Sequence, residues 1–204
     1  MTMIRLRARV MKRAAAILTI GHSRHSLERF VALLEAAQVT AIADVRSAPV
    51  SRFSPQFNKA ALAASLTARG IAYEFFGKEL GGRPDRPGMY TQGRADYEKM
   101  AASPDFRAGL AELTEAAERH RLAVMCSEAD PLDCHRCLLV GRALATAGLE
   151  VGHILPCGEI ITHAQAEERL LALEGFAEPD LLLPRAERLA EAYRARNRKA
   201  AYQR

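Results

Sequence analysis

"RLAVMCSEADPLDCHRCLLVGRALATAG", residues 121–148, changes its hydrophobic period once. "RLAVMCS" (121–127) is a continuous apolar run of strand length, whereas in "DCHRCLLVGRALATAG" (133–148) Cys137, Leu138, Gly141, Leu144 and Ala145 form one stripe at helical spacing. Asp133 stands where an N-cap belongs, and Gly148 falls just past the helix end. The stretch reads as strand, polar loop, helix. Two such units in succession cannot be hairpins, because a helix-length crossover joins parallel strands.

Outward from this stretch the same alternation recurs. "AAILTI" (15–20), "VTAIADV" (39–45), "IAYEFF" (71–76) and "EVGHIL" (150–155) read as further strands. Between them lie "SLERFVALLEAA", with Leu27, Phe30, Val31 and Leu34 on one face and Ser26 as cap, and "NKAALAASLTARG", with Asn58 as cap and Gly70 as stop. Residues 95–120 read as helix with an interruption at Ser103-Pro104, and two more helical stretches fall near 162–174 and 185–200. "GKELGGRPDRPGMYTQG" (77–93) has too much Gly and Pro for either period and reads as a long loop, a candidate lid carrying Arg83, Arg86 and Tyr90. The expected fold is α/β: a three-layer sandwich with a mainly parallel sheet of about five strands flanked by helices.

Parallel α/β sheets bind ligands at the carboxyl ends of their strands. Those positions here are Gly21-His22-Ser23, Asp44 to Ser47, Lys78 to Arg83, Cys126-Ser127-Glu128 and Cys157-Gly158-Glu159. "TIGHS" (19–23), "DVRSAPVSRFSPQFN" (44–58), "LGG" (80–82), "MCSE" (125–128) and "CHR" (134–136) together resemble the motif series of the bacterial and archaeal family called domain of unknown function 488. The likeness runs in order over about residues 19–154. It implies an α/β fold and, as motif positions, His22, Ser23, Asp44, Arg46, Cys126, Glu128, Cys134, His135 and Arg136. It implies no substrate.

Four readings compete for the segment 126–136. Zinc could draw on Cys126, Cys134 and Cys137 with His135 or His22, but a second CxxC pair is missing, so no metal and no cofactor is expected. Cys134 and Cys137 form a CxxC at a helix start, the pattern of a thiol redox pair. In the third reading the free amides of the helix start hold an anion, with Arg46 and Arg136 adding bidentate contacts and the thiol of Cys134 lowered in pKa toward a nucleophile. Arg136 lies ten residues after Cys126 and two after Cys134, so the Cys-x5-Arg spacing of cysteine phosphatases is absent. The fourth reading is structural, with buried, inert cysteines.

The preferred expectation is an anion site, for a phosphate, nucleotide or nucleic-acid fragment, on a hydrolase or transferase. Its catalytic candidates are His22, Asp44, Cys126, Glu128 and Cys134; its binding candidates are Ser23, Arg46, His135 and Arg136. Asp44 and Arg46, two apart on a strand end, point the same way and either pair or share a ligand. His153 reads as a satisfied core histidine, and His120 and His163 as surface residues. No P-loop, GxGxxG or HExxH is present, which argues against P-loop NTP hydrolysis, dinucleotide redox chemistry and zincin chemistry.

The chain has 204 residues and is 49% apolar, which suits one domain with its own core. A single domain is expected over 14–180, with a basic extension at 1–13 and a basic helical tail at 181–204. The net charge of +5 is unevenly placed: 1–13 carry five basic residues and no acidic one, 181–204 carry seven basic and two acidic, and the stretch between is left at −5. Basic tails make a non-enzymatic nucleic-acid-binding module the main alternative. Met11 offers an alternative initiator that would omit most of the first tract. Residues 14–20 are apolar but fall far short of the roughly 20 residues that span a bilayer. With four cysteines in no dense framework, the reading is a cytoplasmic protein with free thiols and no membrane partner. Nothing in the sequence bears on oligomeric state.

Overall fold

The computed structural model of the chain describes residues 17–179 and 182–204. The basic tract at 1–13 lies outside the described residues. From Ile17 the chain runs through β1 (Ile17–Gly21), α1 (Leu27–Ala36), β2 (Ala41–Asp44), α2 (Lys59–Thr67) and β3 (Ala72–Phe75). A short hairpin follows, β4 (Tyr90–Thr91) with β5 (Arg94–Ala95), then α3 (Tyr97–Ala101), α4 (Pro104–Arg119) and β6 (Leu122–Cys126). The last part holds α5 (Arg142–Thr146), β7 (Val151–Ile154), β8 (Ile160–Thr162), α6 (His163–Glu174) and α7 (Arg185–Ala200).

The result is a three-layer α/β sandwich around a six-stranded sheet of order β3-β2-β6-β1-β7-β8. The first five strands are parallel and β8 is antiparallel to β7. Strand β6 shows why both faces are covered. Leu122, Val124 and Cys126 join a core with residues of α3 to α7, while Ala123 and Met125 pack on the opposite face against α1 and α2 residues such as Phe30 and Leu62. Successive side chains of a strand point to opposite faces, so a fully apolar strand needs helices on both.

A sixth strand, β8, joins the five parallel ones. Leu155 N–H donates to Glu159 O at 2.8 Å across a turn in which Gly158 takes φ +102, and the chain reverses into β8. Cys157, Gly158 and Glu159 therefore form a hairpin turn and are exposed. The helix start at 133 is corrected. Asp133 ends a short 3₁₀ turn (Pro131–Asp133), and Cys134 has extended backbone with its Sγ accepting the Arg136 amide at 3.4 Å. The first turns after it, Arg136–Gly141, are π-helical before α5 begins. Ser103 caps α4 by accepting from Phe106 N–H at 3.2 Å, as its position suggests. Asn58 precedes α2, but its side chain accepts from Ser51 N–H instead of capping.

The C-terminal helix is packed on the domain. Ala192 and Tyr193 of α7 are buried, and residues beyond it pair with the β4–β5 hairpin through Ala95 N–H to Tyr202 O at 2.9 Å. Arg194 pairs with Glu98, Arg196 with Asp133, and Lys199 with Glu174, so much of the local basic charge is met by acidic partners within the chain.

Candidate active site at the strand ends

In the sheet, β6 lies between β2 and β1, with Cys126 in register with Gly21 and Met125 with Asp44. The carboxyl ends of these three strands bring together most residues singled out by sequence. A pocket of about 180 Å³ opens there, lined by Arg46 and Ser47 after β2, Gly82 and Arg83 of the long loop, Cys126 at the end of β6 and Glu128 after it, Asp133, Cys134, His135, and two tyrosines, Tyr97 and Tyr202.

Glu128 is the link between the two thiols. Its Oε2 lies 2.9 Å from Cys134 Sγ and 3.1 Å from Cys126 Sγ. His135 Nδ1 stands 3.7 Å from Cys126 Sγ and 3.9 Å from Cys134 Sγ, while its Nε2 is 2.9 Å from Val45 O. That last contact fixes the ring: Nε2–H donates to the carbonyl and Nδ1 faces the sulfurs. Burial opposes a charge on this ring, but the Cys134 side chain outweighs it and raises the imidazole pKa, favouring an Nδ1–H that donates to sulfur. The Gly82 backbone makes room for this ring, because a Cβ on Gly82 would sit 2.8 Å from His135 Cγ and Nδ1.

Electrostatics separate the two thiols. Burial opposes ionisation of Cys134, but the Cys126 thiol, the Arg136 guanidinium and His135 outweigh it and hold Cys134 well below the ordinary thiol range. Burial and the neighbouring Cys134 push Cys126 well above that range. Burial and Cys134 also raise Glu128, favouring its protonated form. Of the two thiols Cys134 is thus the one inclined to ionise, with the Cys126 thiol and the Glu128 carboxyl beside it.

Arg136 lies behind this group. It is fully buried, with Nη1 donating to Glu128 O at 2.6 Å and Nη2 to Ala129 O at 3.0 Å; it does not line the pocket. It fastens the 128–129 turn and places a positive charge beneath Cys134. Gly21 permits this close approach: a Cβ there would fall 1.8 Å from Glu128 O.

His22, Ser23 and Asp44 do not line the pocket either. Asp44 is fully buried and takes Arg46 bidentately, Nη2 to Oδ2 at 2.6 Å and Nε to Oδ1 at 2.9 Å, and accepts from Tyr73 Oη at 2.7 Å. His22 stacks on Phe57 with ring centroids 4.3 Å apart; its Nδ1 meets Ser23 O at 3.0 Å and its Nε2 meets Arg46 Nη1 at 3.4 Å. Burial and Arg46 lower its pKa to about 4, so it is neutral at pH 7 and accepts from Arg46. Ser23 adopts a left-handed conformation, φ +48, that turns the chain out of β1.

Tyr97 and Tyr202 entered the pocket without a sequence signal, Tyr97 from the first turn of α3 and Tyr202 from beyond α7. The long loop is pinned on both sides, with Tyr90 Oη donating to Pro84 O at 2.7 Å and Arg86 pairing with Asp105. Arg83 has no acidic partner among the described residues and lies 4.8 Å over the Tyr202 ring at the pocket rim. A larger hollow of about 480 Å³ between the β4–β5 hairpin and α7 contains neither a thiol nor a histidine, so size alone does not locate the chemistry.

Two groups of side chains among the described residues have donor atoms close enough for a metal: Cys126, Cys134 and His135 in the pocket, and Cys137, His153 and His163 in the core. His163 corrects the expectation of a surface residue: it is buried, because Thr162 caps α6 and turns His163 inward from the edge strand. Cys137 faces His153 at 3.7 Å, apart from the Cys134–Glu128 group.

The family model for the domain of unknown function DUF488 matches residues 26–143, more than half of the chain. The chain belongs to the DUF488 family. The DUF488 match contains "DVR", "LGG", "MCSE" and "CHR", and thus every pocket residue named above except Tyr202; the "GHS" turn precedes it. Neither the curated proteins nor the solved structures contain a match to this DUF488 chain.

Proposed function

We propose that the strand-end pocket is the active site of a thiol-dependent transferase or hydrolase acting on a small anionic substrate. The observation that carries this reading is the Cys134 sulfur placed between the buried Arg136 charge and the Glu128 carboxyl at the pocket wall. In the first step the Cys134 thiolate bonds to an electrophilic carbonyl or phosphoryl centre, and the departing oxygen takes the Glu128 proton. In the second, the Glu128 carboxylate removes a proton from water or an acceptor hydroxyl, which attacks the covalent intermediate and restores the thiolate.

Arg83 at the rim and the Arg46 edge supply positive potential for the anion. The volume of about 180 Å³ lies below the roughly 300 Å³ and more of typical small-molecule sites, so it suits the reactive end of a substrate rather than a whole nucleotide. Arg136, His22 and Asp44 act as positioning residues: Arg136 fixes the Glu128 turn, and the His22–Arg46–Asp44 chain holds Arg46.

The test is covalent trapping. Incubation with p-nitrophenyl acetate and with p-nitrophenyl phosphate, followed by mass spectrometry, is expected to show one acyl or phosphoryl adduct on Cys134, absent in Cys134→Ser and persisting longer in Glu128→Gln. An adduct distributed over Cys126 and Cys157, or unchanged by Cys134→Ser, contradicts the reading.

A second reading follows from the proximity of Cys126 to Cys134. A thiol redox role for this pair predicts a Cys126–Cys134 disulfide after mild oxidation, and Cys134 left reduced under the same treatment removes it.

A further inference from the structure

Outside the pocket lining, three side chains from separate elements converge: Cys137 of the π-helical turn, His153 of β7 and His163 at the start of α6. We propose that these three form a binding site for a divalent metal ion of the zinc class.

The distances match a tetrahedral edge. Zinc bonds of ~2.3 Å to sulfur and ~2.0–2.1 Å to nitrogen at tetrahedral angles separate S from N by about 3.6 Å and N from N by about 3.3 Å. Here Cys137 Sγ is 3.7 Å from His153 Nε2, and His153 Nε2 is 3.0 Å from His163 Nδ1. All three donor atoms lie within 4.8 Å of one another and all three residues are buried. A single proton on His153 Nε2 can be donated to Nδ1 or to Sγ but not well to both, whereas one cation satisfies all three.

The far side of each ring is already arranged for ligation. His153 Nδ1 meets Thr19 Oγ1 at 2.8 Å, and His163 Nε2 meets Tyr193 Oη at 3.0 Å, with that hydroxyl donating to Glu167 Oε1 at 3.2 Å. Such partners fix which nitrogen faces a metal and which way the ring points. The pocket trio Cys126, Cys134 and His135 differs, because the Glu128 carboxyl lies against both sulfurs at 2.9 and 3.1 Å, closer than ligand edges of the same tetrahedron. Two imidazoles and a thiolate select zinc-class ions over magnesium or calcium, which need oxygen ligands. A cavity of about 770 Å³ borders His163 and Glu167, on one side of the trio.

The test is titration of chelator-treated full-length protein with Co²⁺ alone. The expected result is one equivalent bound, with a near-ultraviolet thiolate-to-cobalt band and visible bands of four-coordinate intensity, all displaced by Zn²⁺. Cys137→Ser loses the thiolate band, His163→Gln weakens cobalt affinity by at least about tenfold, and Cys134→Ser keeps both. Absence of a thiolate band in folded wild-type protein overturns the proposal, as does a band abolished by Cys134→Ser and kept by Cys137→Ser. Should Cys137→Ser fail to fold, imidazole ¹⁵N spectra of the wild type decide: Zn²⁺ must move His153 Nε2 and His163 Nδ1, and unmoved signals overturn it.

Discussion

Arg136 illustrates how a residue type known to bind anions serves here from behind. Its guanidinium is spent on the carbonyls of Glu128 and Ala129, and its charge reaches Cys134 through the protein interior rather than through a ligand. Arg136→Lys keeps the charge but has no planar fork for the two carbonyls. The expected outcome is a fold weakened by about 1–3 kcal/mol in urea unfolding, from the carbonyl left unpaired, together with slower labelling of Cys134 near neutral pH. That Asp44 and Arg46 point the same way was readable from their spacing on a strand end, since residues two apart share a face; that they pair came from the structure. That Arg136 points inward was not, because "CHR" carries no information on which side of a helix start meets the sheet.

At the scale of elements, the five parallel strands were legible from apolar runs bounded by Gly, Asp and polar turns. Strand β8 was not: three residues, of which only Ile161 is buried, are too short to show a period and merge with the cap of α6. The displaced helix start after β6 has a similar cause. Asp130 and Asp133 both carry N-cap chemistry, but Pro131 sets a 3₁₀ turn first, and Asp133 is left to pair with Arg196. Ser103 is the clearer case, as a Ser-Pro step with Asp105 in the first turn admits one reading. Ser103→Ala is expected to lower stability by about 1 kcal/mol through the lost bond to Phe106 N–H, measured as a shift in the urea midpoint at unchanged slope. Removing 185–204 is expected to cost far more, since it strips Tyr193 and Ala192 from the core and Tyr202 from the pocket; circular dichroism of the truncated chain showing native melting contradicts that.

Across the whole molecule, charge and titration set how the fold responds to acid. The total of +5 hides an acidic middle, and the basic residues of α7 answer several of those acids directly. His22 couples that balance to pH. Its pKa is about 4 in the folded chain against 6.5 when free, because burial and Arg46 disfavour the imidazolium. The unfolded chain therefore binds the extra proton more readily, so the contribution is complete above pH 6.5 and is lost as pH falls from there toward 4. About 3 kcal/mol is expected to disappear over that interval. In His22→Phe, which keeps a ring against Phe57, the urea midpoint should change less with pH between the same limits; an identical pH slope contradicts the assignment.

The strand-end pocket ties these scales together, since β1, β2 and β6 bring Gly21, Arg46 and Cys126 to one edge and the turn after β6 adds Glu128 and Cys134. Its location at that edge was legible from the rule for parallel sheets. The difference between its two thiols needed the coordinates, because both are buried and the groups beside each decide which one ionises. The rate of Cys134 alkylation by iodoacetamide against pH, read by mass spectrometry for each cysteine, addresses that difference directly. The account predicts that Cys134 labels at pH well below the ordinary thiol pKa of about 8.5, while Cys126, whose pKa is raised, stays unlabelled, and that Arg136→Lys shifts the Cys134 profile upward. A Cys134 profile rising only above about pH 8, or labelling of Cys126 ahead of Cys134, contradicts it.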